Sequence, residues 1–104
     1  MPTFFHATPS SNVASILREG LIPGKGRGFF TFTRGRSSSD GVFATSDISS
    51  ALEWGEGIQE EFDISSVHIL KFSTNQIPHF EDEDEVIFNN PIPPQSISIA
   101  EVLG

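Results

Sequence analysis

The sequence predicts a single α+β domain, residues 1–104, with mostly antiparallel strands. Short alternating runs rich in β-branched and aromatic residues read as strands, two stretches between them carry apolar residues at helical spacing, and the order is strand, helix, strand, helix, then strands. A chain of 104 residues supports one modest core, burying roughly 60–70% of the surface of the unfolded chain. Ten Phe and one Trp with no Tyr and no Cys make that core aromatic and leave no disulfide to reinforce it, which suits a reducing compartment.

Residues 3–9, Thr-Phe-Phe-His-Ala-Thr-Pro, form the first expected strand. Alternation puts Phe4, His6 and Thr8 on one side and Thr3, Phe5 and Ala7 on the other. Thr8 or Ser10 can cap a following helix with a side-chain oxygen, and Pro9 suits the first helical position if Thr8 is the cap. Val13, Ile16 and Leu17 recur at three and four residues, giving that helix an apolar stripe. Gly20 can take the left-handed closing position so that Leu21 folds back towards Ile16, and Pro23 prevents continuation.

The glycines alternating through residues 24–28 favour an irregular path with accessible backbone N–H groups, but the Gly-Lys-Ser/Thr ending of a P-loop is missing. Residues 29–33 are rich in strand formers and read as a strand or a loop covering a cleft; residues 34–40 read as a turn or loop. Residues 41–45 are the next expected strand, closed by Ser46 or Asp47 as the cap of a second helix. In that helix Ile48, Ala51, Leu52 and Gly55 lie on one stripe with Trp54 to its side, and Gly55 and Gly57, each about 1 kcal/mol worse than Ala, are expected to fray or bend its last turns. Residues 67–72, 86–88 and 98–103 read as further strands. The prolines at 91, 93 and 94 exclude regular helix or central strand between the last two.

Charge and hydropathy exclude several classes. A formal charge of −8 argues against a broad nucleic-acid surface, because that affinity rests on Lys and Arg neutralising phosphates. Lys25, Arg27, Arg34 and Arg36 nevertheless concentrate four of the six basic residues in one loop, able to receive a small phosphorylated ligand or simply to be solvated. Nothing approaches the roughly 20 apolar residues that span a bilayer, and the start lacks the basic and apolar segments of a signal peptide. A cytoplasmic protein without membrane contact is expected.

Three features carry candidate chemistry. His6 with Thr8 stands on a strand that leads into a helix; a lone histidine near core positions is also a common structural residue. His68 lies in a strand without nearby acidic residues, His79 follows Pro78 in a loop, and no spacing suggests a metal. Phe43 on a strand and Trp54 on the next helix can form two walls of a flat slot, with Ala44 and Gly55 leaving room; core packing is the alternative. The run from Glu81 to Glu85 reads as a solvated acidic loop, except that Glu85 starts an apolar strand and is held in a fixed direction there, with Glu83 on the same face if the strand begins early.

An early histidine, an aromatic pair and a glutamate at a late strand start resemble the His-Tyr-Glu group of ADP-ribosyltransferases, the diphtheria-toxin-like and poly-ADP-ribose-polymerase-like enzymes. Ten residues lie between Phe43 and Trp54, the spacing at which the family places two tyrosines. The segments FHATPSSNVASILREGLIPG, GVFATSD and DEVIFNNPIPPQSI are similar to bacterial members, including DNA-targeting toxins of this fold. The resemblance implies split antiparallel sheets with two helices around an NAD cleft. It implies NAD as co-substrate, with His6 and Thr8 on the nicotinamide-side ribose, the backbone of Ala7 on the carboxamide, Phe43 and Trp54 around the ring, and Arg27 or Arg34 on the pyrophosphate. Glu85 would bond the ribose 2′-hydroxyl and stabilise the oxocarbenium-like state. A Glu83-Asp84-Glu85 grouping is also similar to the Glu-x-Glu pair of arginine-modifying relatives, which lack the leading histidine.

The expectation is a mono-ADP-ribosyltransferase releasing nicotinamide and modifying a macromolecule, a protein in preference to nucleic acid, as a small toxin or phage-encoded modifier that an antitoxin or inhibitor could control. Two alternatives stay beside it. One is a catalytically silent domain of the same fold acting through its acidic surface; the other is a relative of the RNA 2′-phosphotransferases, which also use NAD but need more basic residues than this chain offers.

Overall fold

The computed structural model describes residues 1–23, 42–81 and 85–104. Arg27, Arg34 and Glu83, the glycine-rich, aromatic and serine-rich readings of residues 24–41, and residues 82–84 of the acidic run lie outside the described residues. Among the described residues the chain forms an α+β domain of two helices and two antiparallel sheets. In order these are β1 (Thr3–Pro9), a 3-10 turn (Ser10–Asn12), α1 (Val13–Glu19), β2 (Val42–Ala44), α2 (Ile48–Phe62), β3 (Val67–Ser73), β4 (Phe80–Glu81), β5 (Val86–Phe88), a second 3-10 turn (Pro94–Ser96) and β6 (Ile97–Leu103).

The first sheet has the order β1-β3-β6 and the second β2-β5-β4. β1 runs in unbroken register on β3 from Thr3 opposite Ser73 to Pro9 opposite Val67. β6 pairs with the other side of β3, with an irregularity between Ile69 and Leu70. The sheets meet where β1 and β2 touch: Phe5 N–H donates to the Thr45 carbonyl at 2.7 Å, and Thr45 N–H donates back to the Phe5 carbonyl at 2.9 Å. β1 therefore serves β3 along one edge and β2 at one point of the other.

Alternation along β1 and β3 sorts the core into two layers. Phe4, Leu70 and Phe72 turn towards the second sheet and pack with Val42, Ala44, Val86, Phe88, Leu21, Ile92 and Ile97. Three rings lock this layer, with Phe4 to Phe88 at 5.0 Å, Phe4 to Phe72 at 5.8 Å and Phe72 to Phe88 at 5.9 Å between centroids, within the range where tilted and edge-on pairs attract. Ala7, Val67 and Ile69 turn the other way and receive Ala51 and Ile58 of α2.

Several local expectations are corrected. The first helix starts at Val13, not near Pro9: Pro9 ends β1, and neither the 3-10 turn nor α1 has a side-chain cap. Ser10 is diverted because its Oγ lies 2.6 Å from Ser66 Oγ and 2.7 Å from His68 Nδ1. Leu17, expected on the buried stripe, is exposed. A helix of only seven residues turns Val13 and Ile16 to the core and leaves the next position outside. Gly20 closes α1 with φ 91° and ψ −179°, a positive φ as expected but not a left-handed helical residue. Its extended ψ sends Leu21 into a bridge with Ile92, each N–H bonding the other's carbonyl. A Cβ on Gly20 would run into the Ile92 carbonyl oxygen.

Asp47 caps α2, its Oδ1 accepting from Ser49 N–H at 3.2 Å. The helix then continues through both glycines to Phe62. Gly55 is not a point of fraying; it is where the helix lies closest to the sheet. A Cβ there would stand 2.6 Å from Leu103 Cδ1 and 3.3 Å from Ile69 Cδ1 and Val67 Cγ1, so the room expected beside Gly55 is already filled by the sheet. Gly57 is about 200° round the helix from Gly55.

Substitution separates the two glycines. Gly55→Leu forces helix and sheet apart and is expected to lower unfolding free energy by about 1–3 kcal/mol or more, whereas Gly57→Ala is expected to raise it by up to about 1 kcal/mol through helix propensity. Urea denaturation of the two variants against wild type measures both.

Candidate functional site

Among the described residues three buried polar side chains, His6, Thr45 and Glu85, belong to the region where β1, β2 and β5 come together. His6, on β1, is only 4% exposed. Its Nδ1 lies 2.6 Å from the Phe43 carbonyl oxygen; since a carbonyl only accepts, Nδ1 carries the proton and Nε2 is the unprotonated, accepting nitrogen. Burial lowers the imidazole pKa to about 4, while the Phe43 carbonyl pulls weakly the other way. The ring is neutral at pH 7, a hydrogen-bond acceptor at one nitrogen and a fixed donor at the other.

Ala7 is buried against α2, and its backbone follows from the Phe5–Thr45 pair. Both polar backbone groups of Phe5 point away from β3 towards Thr45, and alternate residues of a strand point the same way. The N–H and carbonyl of Ala7 therefore project from the same edge, on the Phe43 side of this antiparallel bridge. Thr8 is buried, and its Oγ1 accepts from Asn12 Nδ2 at 3.4 Å, so it braces the turn after β1.

Among the described residues Glu85 is the other buried titratable residue, at 0% exposure. It immediately precedes β5, whose register sets Ala44 opposite Val86 and Phe43 opposite Ile87. One residue further along that register, Glu85 falls opposite Thr45, itself bonded to Phe5 next to His6. Alternation gives Glu85 the face of β5 that carries Ile87. Thus one strand, β2, stands between the two residues: His6 grips its outer edge at Phe43, and Glu85 abuts it at Thr45.

The two aromatics sit in different layers. Phe43 is buried with Ile87, and Phe80 packs on them. Trp54 is half-buried on α2 against the cluster containing Ala7, Val67 and Ile69. Gln59 reaches the Leu103 carbonyl from one flank of α2, and Trp54 is about 140° round from it, hence on the flank towards β1. Trp54 thus shares a cluster with Ala7, while Phe43 belongs to the second sheet.

Ser10, Ser66 and His68 form a hydroxyl–imidazole chain that sequence reasoning did not find. In the sequence His68 lacks acidic neighbours, and no local pattern links residues 58 positions apart. The pairing of Thr8 with His68 brings them together. His79 is exposed, its N–H donating to the Ile87 carbonyl at 2.8 Å. Among the described residues no group of His, Cys, Asp or Glu could hold a metal ion, and no helix is long and apolar enough to cross a membrane.

Comparisons with protein-family models, with curated proteins and with solved structures give no match for this chain.

The His6 environment has a measurable consequence. Between pH 6.5 and 4 the unfolded chain binds a proton at this ring that the folded chain refuses, so stability present at neutral pH is lost as pH falls through that window, by about 3 kcal/mol at its lower end. His6→Asn keeps a donor for the Phe43 carbonyl but does not titrate. Denaturant titrations from pH 7 to pH 4 are expected to show wild type losing more stability than the variant by about that amount.

Proposed function

We propose that the protein is an NAD-dependent mono-ADP-ribosyltransferase. The observation that carries this is the meeting of β1, β2 and β5 with a neutral His6 and a buried Glu85 on the two sides of β2. The resemblance in sequence assigns those two positions to the ribose and to the departing nicotinamide.

The residues fit the roles. Nε2 of a neutral His6 accepts from a ribose hydroxyl, which an imidazolium could not do. The outward N–H and carbonyl of Ala7 match the acceptor and donor of a carboxamide, and Trp54 lies in the cluster that includes Ala7, where a planar ring could lie against it. A carboxylate at position 85 bonds the ribose 2′-hydroxyl. As the bond between the anomeric carbon and nicotinamide nitrogen breaks, the electron pair leaves with neutral nicotinamide, and the carboxylate offsets the positive charge developing on the ribose. An acceptor nucleophile, on a protein in preference to nucleic acid given the charge of −8, then bonds the anomeric carbon and gives up its proton.

A second reading is favoured by one observation: His6 and Glu85 are both almost fully buried, and Phe43 packs apart from Trp54. Those are the properties of polar residues retained for architecture in a domain that binds a partner without chemistry.

Incubation with NAD labelled in the adenylate portion, followed by measurement of free nicotinamide and of labelled protein, separates the two. Wild type is expected to release nicotinamide, and Glu85→Gln, nearly the same shape, to slow release by about 10²–10³-fold while still binding NAD. If wild type neither binds nor cleaves NAD, the silent binding domain replaces the enzyme.

A further inference from the structure

Among the described residues β6 ends the first sheet, so the alternate backbone groups of its seven residues that point away from β3 form its outer edge. Such edges are usually blunted by Lys, Pro or a covering element. Residues 97–103 contain neither Lys nor Pro, and their only charge is Glu101. Two large apolar side chains are exposed on it, Ile99 at 47% and Val102 at 51%.

The faces of this edge differ in chemistry. Ile99 is opposite Leu70 and Val102 opposite His68, both on the side of β3 that faces the second sheet. The irregularity between Ile69 and Leu70 places Ala100 as the extra residue, which is why two residues three apart share one face. Glu101 is opposite Ile69, on the face covered by α2. There Gln59 of α2 reaches the Leu103 carbonyl at 3.4 Å, and the exposed Glu56, three residues earlier and about 60° further round the axis, stands on the same flank. Lys71, opposite Ser98, marks the far end of that face. One side of the edge is thus apolar and the other acidic near its C-terminal end.

We propose that the β6 edge binds an extended protein segment whose residues alternate apolar and basic, adding a seventh strand to the six described. Backbone hydrogen bonds to β6 supply the attachment; apolar residues of the segment cover Ile99 and Val102, and basic residues meet Glu101 and Glu56 on the opposite face. Charge selects this occupant over a second copy, since two chains of −8 each repel. The site is separate from His6 and Glu85 and stands whether or not NAD is cleaved.

The test uses a fluorescein-labelled, acetylated and amidated heptapeptide, Lys-Val-Lys-Val-Lys-Val-Lys, read by anisotropy and by amide shifts in 15N spectra of the full chain. Saturable binding with the largest shifts in residues 97–103 is expected. Binding is expected to fall about ten-fold for Glu101→Lys and for the double variant Ile99→Lys, Val102→Lys, both of exposed side chains, with circular dichroism showing that each remains folded. A peptide of identical composition with its lysines and valines in separate blocks, and one N-methylated along its backbone, are expected to bind at least about ten-fold more weakly. Equal binding of the block peptide, shifts centred away from β6, or a dimer formed through β6 without peptide in sedimentation overturns the proposal.

Discussion

The reciprocal backbone pair between Phe5 and Thr45 is the constraint from which the arrangement follows. Two hydrogen bonds of 2.7 and 2.9 Å hold the outer edge of β1 against the end of β2, and backbone groups facing away from water must be matched somewhere. Because β1 is already paired with β3 along its other edge, this one bridge ties two small sheets into a single body. It sets the parity of both strands. The backbone of Phe43 faces β1, where His6 takes its carbonyl, and the backbone of Ala7 faces β2 on the Phe43 side of the bridge.

Burial of a histidine in this junction is unfavourable for its charged form and acceptable for its neutral one. The carbonyl of Phe43 satisfies one nitrogen and fixes the tautomer, so structure and proposed chemistry ask the same of the ring. The apolar layer supports this geometry: Phe4 and Leu70, the neighbours of His6 on that face, pack with Phe88 of the strand that Glu85 precedes. Displacing β5 would disturb rings and carboxylate together. A small chain without disulfides holds such a site by making the same residues serve both purposes.

Much of the architecture was legible in the sequence. Alternation marked β1, β3 and β6 nearly to the residue, and helical spacing with Asp47 as a possible cap marked α2. The errors have physical causes. Pro9 and the hydroxyls around it carry a helix-start pattern, but Ser10 bonds across space to Ser66 and His68, a competitor no local pattern contains. Gly55 reads as a weak point because propensity counts only the helix, whereas the sheet lies too close for a side chain there. The two-residue β4 exists only because β5 lies beside it.

The sequence by itself determined the periods of its strands and helices, the aromatic and disulfide-free character of the core, the excess of negative charge, and the residue types able to do chemistry, because these depend on the order of side chains along the chain. Which residues meet was decided only by tertiary structure. Pairing of backbone edges between positions tens of residues apart set His6 on the Phe43 carbonyl, brought Glu85 level with Thr45, separated Phe43 from Trp54 into different layers and left β6 at an edge. Those outcomes depend on strand register and on which edges remain to be paired, and a linear pattern of side chains specifies neither.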